Sequence, residues 1–418
     1  MLKGWKNCKI SDLGTVVGGA TPSTKNPLNY EGGSIPWITP KDLANFSGRY
    51  ISRGERNITE QGLKSCSTQI LPQHSVLFSS RAPIGYLAIA ANDVCTNQGF
   101  KSVIPNDNTD YMFLYYLLKF NKNKIENLGS GTTFKEVSGS TMRGIEVCVP
   151  ESLNEQQRIA SILSVLDEKI ERNAEINDNL EEQAVLIYRS WFNAFNRSQN
   201  INFVSSEFGK IPSDFSIVKI GSLPMLVTDY VANGSFASLK QNVKLYQEPN
   251  YAYFVRNTDL KSNSFGVYVD QHSYEFLSKS TLFGGEIIIS NVGDVGSVFL
   301  CPKLDKPMTL GNNIIMLRPK KDYLRYYLYI WFKYHYGQAI IQGIKGGSAQ
   351  PKFNKTDFKN TSVLLPPNEL LDDFHNTVSP MFSIIEQNKI ENAKLSILRD
   401  ILLPKLMSGE LDVSDIEL

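Results

Sequence analysis

The chain has 418 residues, enough for two or three domains that each bury a core. Apolar residues make up 42%, charged residues 20%, and the net charge is +1, the balance of an ordinary soluble globular protein. The longest apolar runs, at 86–91 and 111–118, fall short of the about 20 residues that cross a bilayer, and residues 1–10 lack the apolar core of a signal peptide.

The charge is unevenly spread. Residues 1–150 carry +5, residues 151–200 carry −4, residues 201–366 carry +6 and residues 367–418 carry −6. Basic segments that alternate with acidic ones suit a chain whose basic parts meet a polyanion and whose acidic parts do not. The five cysteines, Cys8, Cys66, Cys95, Cys148 and Cys301, never take CxxC spacing. They read as reduced thiols, which predicts a cytoplasmic protein. His74, His272, His335 and His375 lie far apart, and no metal site is expected.

In chain order, the first 150 residues are mostly short apolar runs such as 76–78 and 86–90, separated by Gly, Pro, Asn and Ser, a β-rich pattern. One aromatic helix is predicted near 111–120, packed against a sheet. A glycine loop at 129–131 follows, and then a strand-like stretch to Pro150. Because the residue before a proline avoids helical dihedrals, a long helix is predicted to begin after Pro150. Asn154 is its expected cap, with Gln157 three residues on in the capping-box position.

The second half repeats the first at an offset of about 215. Positions 159, 163, 166, 170, 173, 177, 180, 184, 187 and 191 read Ile, Leu, Leu, Ile, Asn, Asn, Leu, Ala, Ile, Trp. Shifted by 215, the seam from 374 to 406 reads Phe, Val, Met, Ile, Asn, Asn, Leu, Arg, Leu, Leu. Both are coiled-coil seams of about 3.5-residue period. Both carry two amides, Asn173 and Asn177 in one, Asn388 and Asn392 in the other, placed to bond across the interface and fix register. The β-rich parts also match: 37–43 with 254–260, 75–85 with 285–296, 96–105 with 310–319, and 129–134 with 346–351. A second aromatic helix is predicted at 323–336 and a last long helix after Pro366. Pro380 either kinks that helix or starts a new one capped by Ser379. The expected domains are therefore 1–150, a helix over 151–200, 201–366, and a helix over 367–418.

Ordered along the chain, IPWITPKDL (35–43), RAPIGYLA (81–88), TNQGFKSVIP (96–105), GSGTTF (129–134) and EQQRIASILSVLDEKI (155–170) resemble the specificity subunits of Type I restriction–modification enzymes. The second copy keeps FVRNTDL (254–260), GDVGSVFL (293–300), GGSAQPKF (346–353) and LLPKLMSGEL (402–411). The resemblance spans almost the whole chain. It implies an α+β fold with a pseudo-twofold repeat: two β-rich target recognition domains separated by two long antiparallel coiled-coil helices. It also implies that each domain reads one half of an asymmetric bipartite double-stranded DNA site while the helices set the spacer. Methyltransferase and restriction subunits would supply the chemistry, and S-adenosylmethionine, ATP and magnesium would belong to them. The second copy departs from the pattern at Val292, which replaces Arg81, and in lacking an EQQR-like helix opening.

The residues themselves offer no catalytic motif. The only Pro-Pro is 366–367, which does not form the Asn/Asp-Pro-Pro-aromatic loop of an amino-methyltransferase, and no GxxxxGK[ST] occurs. The 129–131 glycines follow a helix, the wrong context for a nucleotide loop. Asp42 and Asp259 recur in both copies, but with no Glu-x-Lys partner they read as capping or turn residues. Two other functions stay open on the residues alone: a coiled-coil scaffold with protein-binding heads, and a stand-alone nucleic-acid-modifying enzyme.

Base reading needs paired donors and acceptors, and phosphate gripping needs Lys, Arg, hydroxyls and free amides. The candidate DNA contacts in the first copy are Thr21, Ser23, Lys25, Lys41, Arg49, Arg53, Ser80, Arg81, Thr132, Thr133 and Lys135. Those in the second are Asn233, Ser235, Arg256, Asn257, Lys261, Asn291, Gln350 and Lys352.

Overall fold

The computed structural model describes residues 4–44, 46–81, 83–131, 135–198, 202–347 and 350–413, with the backbone alone at His335. Contacts divide the chain into two compact units: 1–175 with 388–418, and 176–387. Each unit therefore holds one β-rich part and a length of each long helix.

In the first unit a five-stranded sheet runs in the order Gly14–Gly18, Lys101–Pro105, Val76–Ser80, Ile84–Ala90, Tyr50–Ile51. Val76–Ser80 is buried at every residue, because both of its faces are covered. A second sheet orders Arg56–Ile58, Ile35–Ile38 and Cys95–Thr96, the last two parallel. Trp5–Lys9 pairs antiparallel with Glu146–Pro150 just before the long helix. The aromatic helix Tyr111–Phe120 starts where Asp110 accepts from the Phe113 amide at 2.8 Å, and residues 112–118 are all buried. Phe113, Tyr115 and Tyr116 are core, as the sequence indicates, while Phe120 at its end is exposed.

The second unit repeats this plan. Its four-stranded sheet orders Met225–Asp229, Ile314–Pro319, Ile287–Ser290 and Val298–Leu300. Ala252–Val255 lies parallel to Met308–Leu310, as Ile35–Ile38 does to Cys95–Thr96. Ser216–Lys219 pairs with Ser362–Leu365 ahead of the last helix. The aromatic helix Tyr323–Lys333 is buried from residue 326 to residue 332. An extra hairpin, Phe203–Ser206 with Gly209–Pro212, is added at the start of this half.

The central long helix runs Leu153–Tyr188 and ends in a π-helical turn, Arg189–Asn193, that buries Trp191 and Phe192. It begins one residue before Asn154, so the expected cap is corrected: Asn154 lies inside the first turn, and the Ser152 carbonyl accepts from the Gln156 amide at 3.1 Å. The last helix runs unbroken over Asn368–Met407. Ser379 therefore caps nothing, and Pro380 sits within the helix. Packing of the neighbouring face offsets the one backbone bond a proline removes.

All twenty seam positions of the two helices are buried or half-buried. Within the first unit the pairing is antiparallel. Arg399 donates to Asp167 at 2.6 Å, and six residues further along the central helix Asn173 donates to Asn392 at 2.8 Å. Within the second unit Phe374 packs among Tyr188, Trp191 and Phe192, with ring centroids 5.0–5.9 Å apart. Among the described residues no helix is long and apolar enough to cross a membrane.

Candidate nucleic-acid interface

In the first unit the loop after Gly14–Gly18 lies against the turn at 96–99. The Ala20 amide donates to the Thr96 carbonyl at 3.0 Å, and the Trp37 indole donates to the Ala20 carbonyl at 3.1 Å. Gly19 makes this approach possible, since a Cβ there would fall 2.2 Å from the Thr96 and Asn97 carbonyl oxygens. The same contact carries Thr21 to the Gln98 side chain, to which its hydroxyl donates. Ser23 and Lys25 stand exposed on this loop.

The ITPKDL segment forms a short helix, Pro40–Leu43, rather than continuing the strand. Asp42 accepts from the amide and hydroxyl of Thr39, both at 2.7 Å, and its other oxygen accepts from the Glu55 amide at 2.8 Å. Asp42 is thus a capping residue, as the sequence suggests. Lys41 pairs with Glu55 at 2.7 Å, and Arg56 lies 4.1 Å over the Tyr30 ring. Lys41, Asp42, Glu55 and Arg56 line a cleft of about 300 Å³ with Trp37 and Thr39. Arg53 is exposed nearby in sequence.

A second group forms where the glycine loop folds back. Ser130 and Glu136 exchange backbone bonds at 2.9 and 3.0 Å, and the Val137 amide donates to the Ser80 carbonyl at 2.9 Å. Arg81 bridges to Glu136, whose carboxylate lies 3.8 Å from Arg81 and 3.4 Å from Lys101. Lys135 is exposed at the base of the loop. Thr132 and Thr133 lie outside the described residues.

The second unit repeats the backbone of this group with other side chains. Gly346 and Lys352 exchange bonds at 2.9 Å, Val292 bridges to Lys352, and the Phe353 amide donates to the Asn291 carbonyl at 3.1 Å. Val292 stands where Arg81 stands, and Lys352 stands where Glu136 stands. Gln350 and Lys352 are exposed. Asp259 repeats the capping role of Asp42, accepting from the Arg256 amide at 2.9 Å. Asp294 gathers Ser297, Asn257 and Lys261 at 2.8–3.3 Å. The Ser297 bond in particular holds its carboxyl below the usual range.

Four candidates are corrected by their surroundings. Arg49 is 4% exposed and is fully engaged by the central helix, so its guanidinium does not face solvent. Ser80 is fully buried, and its hydroxyl donates to the Gly99 carbonyl at 3.1 Å. Asn233 donates its amide to the Tyr230 carbonyl and the Ser280 hydroxyl and accepts from the Lys279 amide at its Oδ1, which makes it a loop brace. Arg256 spends its fork on Asp259, at 2.6 and 3.0 Å. Ser235 stays exposed while capping Phe236–Asn242 through the Ser238 amide.

Sequence reasoning missed Gln98, Glu55, Arg56, Glu136 and Asp294. Gln98 and Asp294 lie inside matched framework stretches, yet like Glu55, Arg56 and Glu136 they show their role only through partners 14 or more residues away. The three carboxylates change the chemistry. A phosphate grip needs donors alone, whereas exposed donors set among acceptors match the mixed edges of base pairs. Among the described residues no group of His, Cys, Asp and Glu is placed to hold a metal ion.

Residues 2–182 and 212–397 match the family profile described as "Type I restriction modification DNA specificity domain". The chain is 36% identical over 427 residues to the Type I restriction enzyme MjaIX specificity subunit of Methanocaldococcus jannaschii, covering 99% of this chain and 95% of that one. It is 23% identical to the HindI specificity subunit of Haemophilus influenzae, over 77% of this chain and 78% of that one. The crystal structure of the Type I restriction–modification S subunit of Mycoplasma genitalium shares the fold, with a TM-score of 0.57 at 19% identity over 96% of both chains. With a repeated backbone frame, a profile covering both halves and a near-full-length relative, this chain belongs to the Type I restriction–modification DNA specificity family.

Proposed function

We propose that the chain is the non-catalytic specificity subunit of a cytoplasmic Type I restriction–modification complex. Each β-rich part reads one half of an asymmetric bipartite site in double-stranded DNA. The long helices set the spacer and dock two methyltransferase subunits, and restriction subunits join that assembly. S-adenosylmethionine, ATP and magnesium belong to the partner subunits.

The observation that carries this reading is the match between Arg81–Glu136 and Val292–Lys352. The two units hold these positions with the same backbone bridges but present different side chains. One frame carrying two chemistries is what independent reading of two unlike half-sites requires.

The test is a methylation map in a host that expresses this chain with its methyltransferase subunits. Exchanging residues 1–150 for the corresponding part of another family member should change one half-site and leave the other intact. Both halves changing together would overturn independent reading. Robust methylation by the purified chain alone, lost on mutation of its own residues, would overturn the non-catalytic role.

A further inference from the structure

Arg49 occupies a singular place in the first unit. It sits just before the edge strand Tyr50–Ile51, and its carbonyl accepts from the Ile89 amide of the neighbouring strand at 2.7 Å. Its amide and Nε both donate to Glu171 Oε1, at 2.9 and 3.0 Å, and its second terminal nitrogen donates to Glu171 Oε2 at 2.9 Å. The other terminal nitrogen donates to Ser164 Oγ at 2.8 Å, and that hydroxyl donates on to Glu168 at 2.7 Å. One residue is therefore stitched to the sheet on one side and to two turns of the central helix on the other.

The domain also meets this helix through the buried Ile159, Ala160 and Leu163 and through single bonds, Tyr116 on Asp167 at 2.7 Å and Trp5 on Glu155 at 2.9 Å, but Arg49 makes the forked contact, and it comes from the sheet edge. Apolar packing drives association but does not define direction. A forked, charge-assisted pair does define direction, because its bonds are lost within small rotations. One repeat on, Ser164 and Glu171 correspond to Ser379 and Glu386, but among the described residues no arginine is bonded to Glu386. There Phe382 stacks on Tyr326 with centroids 4.2 Å apart, and Glu181 of the central helix takes Lys333 and the Tyr329 hydroxyl instead.

We infer that Arg49 is a positioning residue: its fork on Glu171 and Ser164 sets the bearing of the first recognition domain on its helix, and so the spacing at which the first half-site is accepted. This rests on the DNA-recognition reading above. Arg49 does not touch DNA. It determines where the domain that does so is held, whereas the second domain is tied by Lys333 and Tyr329 on Glu181 and by the stacking of Tyr326 on Phe382.

The test is a methylation map of the full complex carrying Arg49→Lys or Glu171→Gln, with thermal unfolding of each full-length variant as a control for folding. Lysine keeps the charge but loses the fork, while glutamine keeps the size and the Ser164 bond. Both should keep the bases of both half-sites, yet lose about tenfold in discrimination against spacers one base pair longer or shorter. A misplacement of about 1 Å already costs catalytic assemblies of this kind large factors in rate. Unchanged spacer discrimination in a folded variant would overturn the inference, and so would altered base preference in the first half-site, which would make Arg49 a base contact. If the lysine variant does not fold, Glu171→Gln decides alone. A wild-type chain with no bipartite map would instead defeat the DNA-recognition reading itself.

Discussion

Asn173 and Asn392 bond across the two long helices. The Asn173 amide donates to Asn392 Oδ1 at 2.8 Å and to Glu391 at 2.7 Å, and the Asn392 amide donates back to the Ile170 carbonyl at 3.0 Å. Asn173 is 1% exposed, so its amide is satisfied out of water by Asn392, while Glu391 keeps part of its carboxylate in solvent. A buried amide on a seam typically fixes register at a cost in stability. Replacing both with leucine should leave the thermal midpoint unchanged or raise it, while loosening register. Disulfide trapping between cysteines placed one turn apart would show the slip. A single trapped register in the leucine variant would mean that the amides do not specify it.

Lys352 and Gln350 separate two modes of DNA contact. Both are exposed on the folded-back loop of the second unit. Lys352→Gln should weaken binding to all sequences alike and reduce the slope of log affinity against log salt by about one. Gln350→Ala should instead relax preference at one base pair of one half-site, a discrimination of about 1–3 kcal/mol. Fluorescence anisotropy across a salt series, on matched and mismatched duplexes, distinguishes them. An unchanged salt slope for the lysine variant would remove Lys352 from the phosphate contacts.

The Asp167 cluster predicts acid sensitivity. Burial alone would raise this carboxyl, but Lys119 and the bonds from Arg399 and Tyr116 hold it below its usual range. A depressed folded pKa gives stability that is fully present above the unfolded value, about 3.9, and lost as pH falls through the folded one. Thermal unfolding of the full chain should therefore steepen in its loss of stability below about pH 4. Asp167→Asn should flatten that loss and cost about 3 kcal/mol at neutral pH, because Lys119 and the Arg399 nitrogen facing Asp167 lose their carboxylate, although Arg399 keeps Asp400. A pH profile identical to that of the unmutated chain would exclude this carboxylate as its source.

Phe374 anchors the start of the last helix in the second unit. It is fully buried beneath Tyr188, Trp191 and Phe192. Phe374→Ala should cost about 3–5 kcal/mol, by lost transfer energy and a residual cavity. Chemical denaturation would measure it, and a loss below about 1 kcal/mol would mean that the aromatic cluster collapses to refill the space.

The five cysteines should divide by burial in thiol labelling. Cys95 is fully buried and its thiol is pushed up to about 11, chiefly by burial, while Cys301 is buried and raised well above the ordinary value. Cys8, Cys66 and Cys148 are half-exposed, and burial together with Asp12 raises the Cys8 thiol. Reagent at neutral pH should modify Cys66 and Cys148 first and leave Cys95 and Cys301 silent until the chain unfolds. Rapid labelling of Cys301 in the folded chain would contradict its placement.

Much of this protein is legible in its residues because the signals are local or periodic. The seam positions, the aromatic helices and the capping carboxylates Asp42 and Asp259 follow from spacing, and spacing survives in one dimension. The 215-residue repeat is legible for the same reason: framework stretches keep their order even where loops change length. Other features depend on which distant residue a side chain meets, and only the tertiary structure decided those. Arg49 reads as a surface cation until the fold brings Glu171, 122 residues on, to within 2.9 Å of it. Ser80 and Asn233 look like loop donors, yet Gly99 and Ser280 absorb them. Pro380 marks a break by local rules, and the packed face of a 40-residue helix overrides it. The sequence by itself determined the repeat, the element types and the family, because periodicity and cap chemistry are local in energy. Which cations stay free to meet DNA was decided by folding, because burial and pairing are set by neighbours far along the chain.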